Sequence, residues 1–144
     1  MSESPHVLIV DDNEMDTELA AEAFRHSSQG TVVHVANNGQ QALDYLLGRN
    51  PYSDRKLYPL PRVVLLDIKM PGMDGLEVLQ KVKGDDSIKH LPVIMLTSSA
   101  DQRDRARSYE LGANSYLVKP VSFGQFRTMV GVIDEYWLNL NVTA

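Results

Sequence analysis

Near its beginning the chain reads Val7-Leu8-Ile9-Val10-Asp11-Asp12, an apolar run followed directly by two acids. A short apolar run without alternation is typical of a strand that helices cover on both faces of a parallel sheet. Three later runs also end in a polar residue: Val63-Val64-Leu65-Leu66 before Asp67, Val93-Ile94-Met95-Leu96 before Thr97, and Tyr116-Leu117-Val118 before Lys119. If these strands are parallel neighbours, three carboxylates, a hydroxyl and an ammonium lie together at one edge of the sheet.

Helical patterns alternate with these runs. A further strand is predicted from Thr31 to Ala36, Asp12 or Asn13 is suited to cap the first helix, and the last helix is predicted from about Ser122 to Leu140. Five strands alternating with five helices predict the α/β class, with an open, doubly wound parallel sheet. In such sheets ligands bind outside the carboxyl ends of the strands, where the polar residues are predicted to lie.

Length and composition restrict the class of protein. We expect residues 1–144 to form one domain, with a core from about 6 to 138 and no output domain. The absence of cysteine excludes disulfides and thiolate chemistry, and a net charge of −5 argues against nucleic acid as a partner. No apolar stretch approaches the roughly 20 residues of a membrane span, and the N-terminus does not resemble a secretory signal. We therefore expect a cytoplasmic protein without a membrane partner.

The predicted edge suits a hard cation and a phosphoryl group. Mg²⁺ prefers carboxylate, phosphate and water oxygens, which Asp11, Asp12 and Asp67 could help to supply. Asp67 is the best candidate nucleophile, because a carboxylate can attack phosphorus to form an aspartyl phosphate. Lys119 would pair with a phosphoryl oxygen and Thr97 would donate a hydrogen bond to another. Taken singly, each residue could be a helix cap, a turn acid or a solvated lysine, but together they would require several coincidences.

The same residues resemble the receiver domain of bacterial two-component response regulators. The resemblance extends from Val7-Leu8-Ile9-Val10-Asp11-Asp12 through Leu66-Asp67-Ile68-Lys69-Met70-Pro71-Gly72-Met73-Asp74-Gly75 to Leu96-Thr97 and Lys119-Pro120. It implies a flavodoxin-like (βα)5 sheet with strand order 2-1-3-4-5. It also implies that the protein is not an enzyme acting on external substrates, although it would catalyse its own phosphorylation and dephosphorylation.

The resemblance also assigns roles to individual residues. Asp67 would accept the phosphoryl group from a sensor histidine kinase, and Asp11, Asp12, Asp67 and the backbone carbonyl of Lys69 would surround Mg²⁺ or Mn²⁺. Thr97 and Tyr116 would form a switch pair that responds to phosphorylation. A cis bond at Lys119-Pro120 is expected to aim the lysine inward.

Two features resemble the single-domain regulators that partner bacterial phytochromes, which are light-sensing kinases. They are the long connection 48–62 and the C-terminal Tyr136-Trp137-Leu138. We interpret the connection as a surface loop packed on the body of the domain, with a partner-contact loop as the alternative. The protein could alter partner binding or dimerisation, act as a phosphate sink, or pass phosphate to a histidine phosphotransfer protein.

Two further groups of residues are predicted from their positions. Lys69 and Ser99, two residues after Asp67 and Thr97, are expected to face the phosphoryl group and tune its lifetime. The last helix has an apolar face wider than docking on one sheet requires, which suggests a homodimer interface. Its members would be Phe126, Val130, Ile133, Tyr136 and Trp137. The alternative is that Tyr136 and Trp137 cover the domain's own edge.

Three other functions remain open from the residues alone. A phosphohydrolase with an aspartyl intermediate commonly carries a second acid two residues after the nucleophile, where this chain has Lys69. A flavodoxin-like electron carrier is disfavoured because Asp11 and Asp12 would repel the phosphate of its cofactor. A degenerate receiver that serves only as a scaffold is disfavoured by the full set of acids and lysine.

Overall fold

The computed structural model describes residues 4–26 and 30–141. Strands and helices alternate along the chain as predicted, and a π-helical segment extends the last helix. The elements are β1 (His6–Val10), α1 (Glu14–Arg25), β2 (Val32–Ala36), α2 (Gly39–Leu47), β3 (Val63–Leu66), α3 (Gly75–Lys83), β4 (Val93–Thr97), α4 (Gln102–Glu110), β5 (Ser115–Val118), α5 (Phe123–Ile133) and the π-helical segment Asp134–Leu140.

The five strands form one parallel sheet in the order β2-β1-β3-β4-β5, which confirms the predicted order. Val10 of β1 is aligned with Leu66 of β3, and Thr97 of β4 is aligned with Val118 of β5. Because the strands end at nearly the same level, the residues that follow them are brought to one edge. Asn13 caps α1 by accepting a hydrogen bond from the Asp16 N–H, as its position suggested.

Side chains of the central strands alternate between two cores, as the period of two in a strand requires. Leu8, Val10 and Leu66 face the layer that contains α2 and α3. Val7 and Ile9 face the other core, to which α1 and α5 contribute. Burial on both sides explains why β1, β3 and β4 are continuous apolar runs rather than alternating ones.

The C-terminal helix differs from the prediction in its last turns. A π-helix has more residues per turn than an α-helix, so the face it buries shifts along the sequence. Leu138, five residues after the buried Ile133, is 1% exposed, whereas Tyr136 is 49% exposed. Asp134 is also buried, and it accepts a hydrogen bond from the Thr31 hydroxyl at 2.8 Å. Regular α-helical spacing therefore assigned the wrong face to this segment.

The structure also corrects the residues predicted for a dimer surface on this helix. Phe126, Val130 and Ile133 are buried in the core shared with α1 and the sheet, so they are not available to a partner. The exposed apolar residues of the helix are Phe123, Val132, Tyr136 and Leu140. Trp137 is partly buried against the same core.

The long connection is fixed to the body mainly through one arginine. Arg55 donates hydrogen bonds to the carbonyl oxygens of Tyr45 and Leu46 at 2.8 and 2.7 Å, and to that of Tyr58 at 3.1 Å. The rings of Tyr52 and Tyr58 pack edge to face with centroids 5.1 Å apart and contact the core. These contacts agree with a loop packed on the domain.

In the described ranges 4–26 and 30–141, the cis peptide bond is Asn50-Pro51, so the expectation of a cis Lys119-Pro120 bond is wrong. The Lys119 N–H donates to the Thr97 carbonyl at 2.8 Å, which continues the β4–β5 pairing up to the lysine.

None of the helices in the described part of the chain combines the length and apolar character that crossing a bilayer requires.

Candidate functional site

The site begins where the sheet's backbone pairing continues one residue past the strands. The Asp11 N–H donates to the Ala36 carbonyl at 3.1 Å, and the Asp67 N–H donates to the Val10 carbonyl at 2.9 Å. These bonds fix the backbone positions of both acids relative to the sheet. The predicted meeting of Asp11 and Asp67 at the carboxyl edge is therefore present.

Asp67 is held in a narrow space between the sheet and α3. Its side chain is buried, and its Oδ1 accepts a hydrogen bond from the N–H of Ile68 at 2.8 Å. A Cβ atom on Gly75, the first residue of α3, would lie 2.0 Å from the Asp67 carbonyl oxygen. Only glycine permits this approach, so the loop returns directly against the backbone of Asp67.

Three carboxylates form a compact group at this edge. Asp11, Asp12 and Asp67 each offer an oxygen, and these oxygens lie within 4.8 Å of one another. Asp11 and Asp67 are buried, whereas Asp12 is exposed. Burial raises the pKa of Asp11, and the negative charge of Asp67 adds to this, while hydrogen bonds from Lys119 and the Asn13 N–H oppose it.

Lys119 extends across the group from the end of β5. Its Nζ lies 2.5 Å from Asp11 Oδ2, 2.9 Å from Asp16 Oδ2 and 3.6 Å from Asp67 Oδ2, and its side chain is 9% exposed. Burial disfavours the ammonium, but the hydrogen bonds to Asp11 and Asp16 and the charges of Asp67 and Asp11 outweigh it, so the pKa of Lys119 is raised. The lysine therefore stays charged at neutral pH.

Asp16 is a member of the site that the sequence analysis missed. It lies in the first turn of α1 and accepts a hydrogen bond from Lys119. Acids are common in the first turn of a helix because of the helix dipole, so its position gave no distinguishing signal. Its proximity to Lys119, which follows β5, depends on how α1 packs on the sheet.

Thr97 and Tyr116 are connected through the backbone of Ser99. The Thr97 hydroxyl is fully buried and accepts a hydrogen bond from the Ser99 N–H at 3.2 Å. The Tyr116 hydroxyl donates to the Ser99 carbonyl at 2.8 Å. The two residues of the predicted switch pair are therefore attached to the same segment between β4 and α4.

Lys69 and Ser99 both contact Asp104 of α4. The Ser99 hydroxyl donates to Asp104 Oδ2 at 2.7 Å, and Lys69 Nζ lies 3.6 Å from the same oxygen. The Lys69 side chain is 69% exposed. We expected both side chains to face a phosphoryl group on Asp67, and in this structure the acid on α4 is the polar partner that they share.

Comparison with known proteins places this geometry in a family. Residues 7–131 match the model of the response regulator receiver domain. The chain belongs to this family. The receiver is 37% identical over 140 residues to the probable methanogenesis regulatory protein FilR2 of Methanothrix harundinacea, covering 94% of this chain and 84% of FilR2. It is 33% identical over 132 residues to the response regulator Rcp1 of Synechocystis sp., covering 92% and 88%.

Solved structures give the same result for this receiver. The phosphorylated cyanobacterial phytochrome response regulator RcpA has a TM-score of 0.92 at 31% identity, covering 98% of this chain and 99% of RcpA. The Mn²⁺-bound form of Rcp1 has a TM-score of 0.88 at 31% identity, with 97% and 99% coverage. The bacteriophytochrome response regulator AtBRR is 45% identical with a TM-score of 0.75, with 98% and 100% coverage. The receiver is thus similar over nearly its whole length to phytochrome-associated response regulators.

Proposed function

We propose that this receiver is a single-domain response regulator that accepts a phosphoryl group on Asp67 from a sensor histidine kinase. One observation carries the proposal. A buried carboxylate has two further acids within 4.8 Å and a buried ammonium at 3.6 Å, so one nucleophile lies between groups suited to a cation and to a phosphoryl oxygen. Phosphoryl transfer depends mainly on positioning and charge stabilisation, which this arrangement would supply.

A divalent cation fits the acidic group. The three carboxylates repel one another. Lys119 supplies one positive charge at the site, and it shares this charge with Asp16. Asp11, Asp12 and Asp67, with the backbone carbonyl of Lys69, would hold Mg²⁺ or Mn²⁺, both of which accept oxygen ligands. When bound, such a cation neutralises charge on phosphoryl oxygens. The Mn²⁺-bound form of the similar protein Rcp1 supports this assignment.

The chemistry is a direct transfer between two residues. A carboxylate oxygen of Asp67 forms a bond to phosphorus, the bond from phosphorus to the kinase histidine nitrogen breaks, and its electron pair leaves with that nitrogen. Asp67 Oδ1 accepts a hydrogen bond from the Ile68 N–H, whereas Oδ2 lies 3.6 Å from Lys119 Nζ. Oδ2 is therefore the oxygen we assign to the attack, and Lys119 would then pair with the transferred group.

Phosphorylation would be transmitted through Thr97 and Tyr116. A hydroxyl donor at the end of β4 would be drawn toward the new negative charge, and its bond to the Ser99 N–H would be disturbed. Tyr116 donates to the carbonyl of the same residue, so a shift of Ser99 would release or reorient its ring. The surface around α4 and β5 would change as a result.

The kinase we propose is a phytochrome-type light sensor in the same compartment, the cytoplasm. Support comes from the similarity to RcpA and AtBRR, which are described as phytochrome response regulators. Once phosphorylated, the regulator would alter partner binding or dimerisation. The alternatives are that it acts as a phosphate sink or that it donates the phosphoryl group to a histidine phosphotransfer protein. Self-catalysed loss of the phosphoryl group would end the signal.

A transfer experiment tests the proposal. The purified protein is incubated with Mg²⁺ and radiolabelled autophosphorylated histidine kinases, phytochrome-type and others, and the wild type is compared with Asp67→Asn. We expect Mg²⁺-dependent labelling of the wild type, none of the variant, and the fastest transfer from a phytochrome-type kinase. Labelling of Asp67→Asn at the wild-type rate would overturn the assignment of the acceptor. Equal rates from all kinases would overturn the pairing alone.

A further inference from the structure

The acid that binds both Lys69 and Ser99 has no role in the function proposed so far. Asp104 lies in the first turn of α4, and its side chain is 18% exposed. One of its oxygens, Oδ2, receives the Ser99 hydroxyl at 2.7 Å and has Lys69 Nζ at 3.6 Å. A single carboxylate therefore joins the loop after β3 to the loop after β4, at the same carboxyl edge of the sheet as Asp67.

The position of Lys69 makes this contact relevant to phosphorylation. Lys69 follows Asp67 by two residues, and its side chain is long, flexible and 69% exposed. An incoming phosphoryl donor is an anion, and a mobile ammonium close to the acceptor would attract it. As long as Asp104 holds the ammonium, this charge is drawn toward α4. Because Lys69 is mostly exposed and the ion pair is long at 3.6 Å, the pair is weak, and an anion near Asp67 can compete for the lysine.

Ser99 gives Asp104 a fixed location. The Ser99 hydroxyl donates to Asp104, its N–H donates to Thr97 and its carbonyl accepts from Tyr116. The Ser108 hydroxyl donates to the backbone carbonyl of Asp104 at 2.7 Å, which further secures this turn of α4. The carboxylate is therefore held by groups other than Lys69, and it can retain the lysine without moving.

We infer that Asp104 is a positioning residue that slows phosphorylation of Asp67 by holding the Lys69 ammonium away from the incoming phosphoryl group. The inference rests on the proposed function. Asp104 and the incoming phosphoryl group compete for Lys69 in this scheme: the lysine is bound by Asp104 before transfer and is drawn to the phosphoryl oxygens during it. The rate of transfer is then set in part by an ion pair outside the acidic group.

The test measures the initial rate of Asp67 phosphorylation by acetyl phosphate and Mg²⁺ in four proteins: wild type, Asp104→Asn, Lys69→Gln and the double variant. Asparagine keeps an oxygen that can accept from Ser99 but loses the charge that holds Lys69. We expect Asp104→Asn to raise the rate about two- to fivefold, the range that the strength of an exposed ion pair allows. In the Lys69→Gln background the same change is expected to have no effect, because the two residues act as a pair.

The matched control is Asp101→Asn. Asp101 caps α4 and pairs with Arg103, so this variant removes an equal charge nearby without touching Lys69, and asparagine is an equally good cap. The control is expected to keep the wild-type rate, and circular dichroism verifies that each variant is folded. An unchanged rate in Asp104→Asn, an equal increase in the Lys69→Gln background, or an equal increase in Asp101→Asn would overturn the inference while leaving the proposed function intact. If the wild type takes up no phosphoryl group, both fail.

Discussion

At the scale of single residues, the site is an imbalance of charge within a small space. Asp11, Asp16 and Asp67 lie around one buried ammonium, Lys119, and Asp12 belongs to the same group of carboxylates. The lysine cannot neutralise all four, and two of the acids are buried where water screens them least. The arrangement is therefore expected to bind a divalent cation even without a phosphoryl group.

Mg²⁺ is expected to stabilise the folded protein for this reason. At a free concentration ten times the dissociation constant, the gain in the free energy of unfolding is ~1.4 kcal/mol if the unfolded chain does not bind the ion. Urea denaturation with and without Mg²⁺, at constant ionic strength, measures it. Asp67→Asn should reduce the gain, whereas Asp86→Asn, at an exposed acid outside the group, should retain it. Equal gains in both variants would contradict the assigned ligands.

A pair of histidines at the opposite end of β1 should make stability depend on pH. His6 Nδ1 and His34 Nε2 are 2.9 Å apart, and the rings of Tyr45 and Tyr58 pack against His34. Burial and then the nearby His6 lower the pKa of His34 below its usual value of 6.5. Below pH ~6.5 the unfolded chain therefore binds more protons than the folded one, and the free energy of unfolding falls as the pH falls.

Urea denaturation at pH 7.5 and 5.5 tests this dependence. We expect His34→Gln to lose less stability over the interval than the wild type, because glutamine does not titrate. The exposed His90 supplies the control, since His90→Gln leaves the His34 contacts untouched and should keep the wild-type slope. A His34→Gln slope equal to that of the wild type would show that His34 does not contribute.

At the scale of elements, the last helix changes its buried face by changing its winding. The segment from Asp134 to Leu140 is π-helical, and this places Asp134 and Leu138 inside. Two polar contacts agree with this winding: Thr31 donates to Asp134, and Arg62 donates to the Leu138 carbonyl at 2.7 Å. The π-helical segment is thus attached to the residues that directly precede β2 and β3.

Truncation of two leucines distinguishes this winding from a regular helix. Leu138→Ala should lower the free energy of unfolding by about 2–5 kcal/mol, because it removes a fully buried side chain. Leu140 is 62% exposed, so Leu140→Ala should change it by less than ~0.5 kcal/mol. Chemical denaturation measures both. A larger loss for Leu140→Ala would mean that the buried face is assigned wrongly.

At the scale of the whole molecule, the exposed apolar residues of the last helix point to association. Phe123, Val132, Tyr136 and Leu140 are each about half exposed or more. Isolated apolar residues are ordinary on a surface, but several on one helix are typical of a contact surface. The homodimer predicted from the sequence therefore remains a proposal, with these residues in place of the three that are buried.

Sedimentation velocity tests the dimer. We expect the wild type to form a dimer that a phosphoryl mimic such as beryllofluoride strengthens or weakens, and Val132→Asp to shift it toward the monomer. Leu57→Asp places the same charge on an exposed leucine of the 48–62 connection and should leave the association unchanged. A wild type that stays monomeric at high concentration, with and without the mimic, would rule out the proposal.

Prediction from sequence succeeded where neighbouring residues carry the information. β3 begins and ends where its apolar run does, and Asp11, Asp67, Thr97 and Lys119 were placed at one edge because parallel strands align their carboxyl ends. Burial on both faces leaves such strands few alternatives to continuous apolar residues. The acidic group and its lysine are thus predictable from the sequence.

Other features were decided by tertiary packing alone. In the sequence, Asp16 resembles any acid in the first turn of a helix, and only the packed fold brings it to Lys119. Asp104 is likewise indistinguishable from other acids of α4 until Lys69 and Ser99 contact it. The π-helical segment likewise makes its polar contacts with Thr31 and Arg62, which are far away in sequence. Local patterns predict which residues of a regular strand or helix are buried, whereas contacts between distant side chains exist only once the elements pack together.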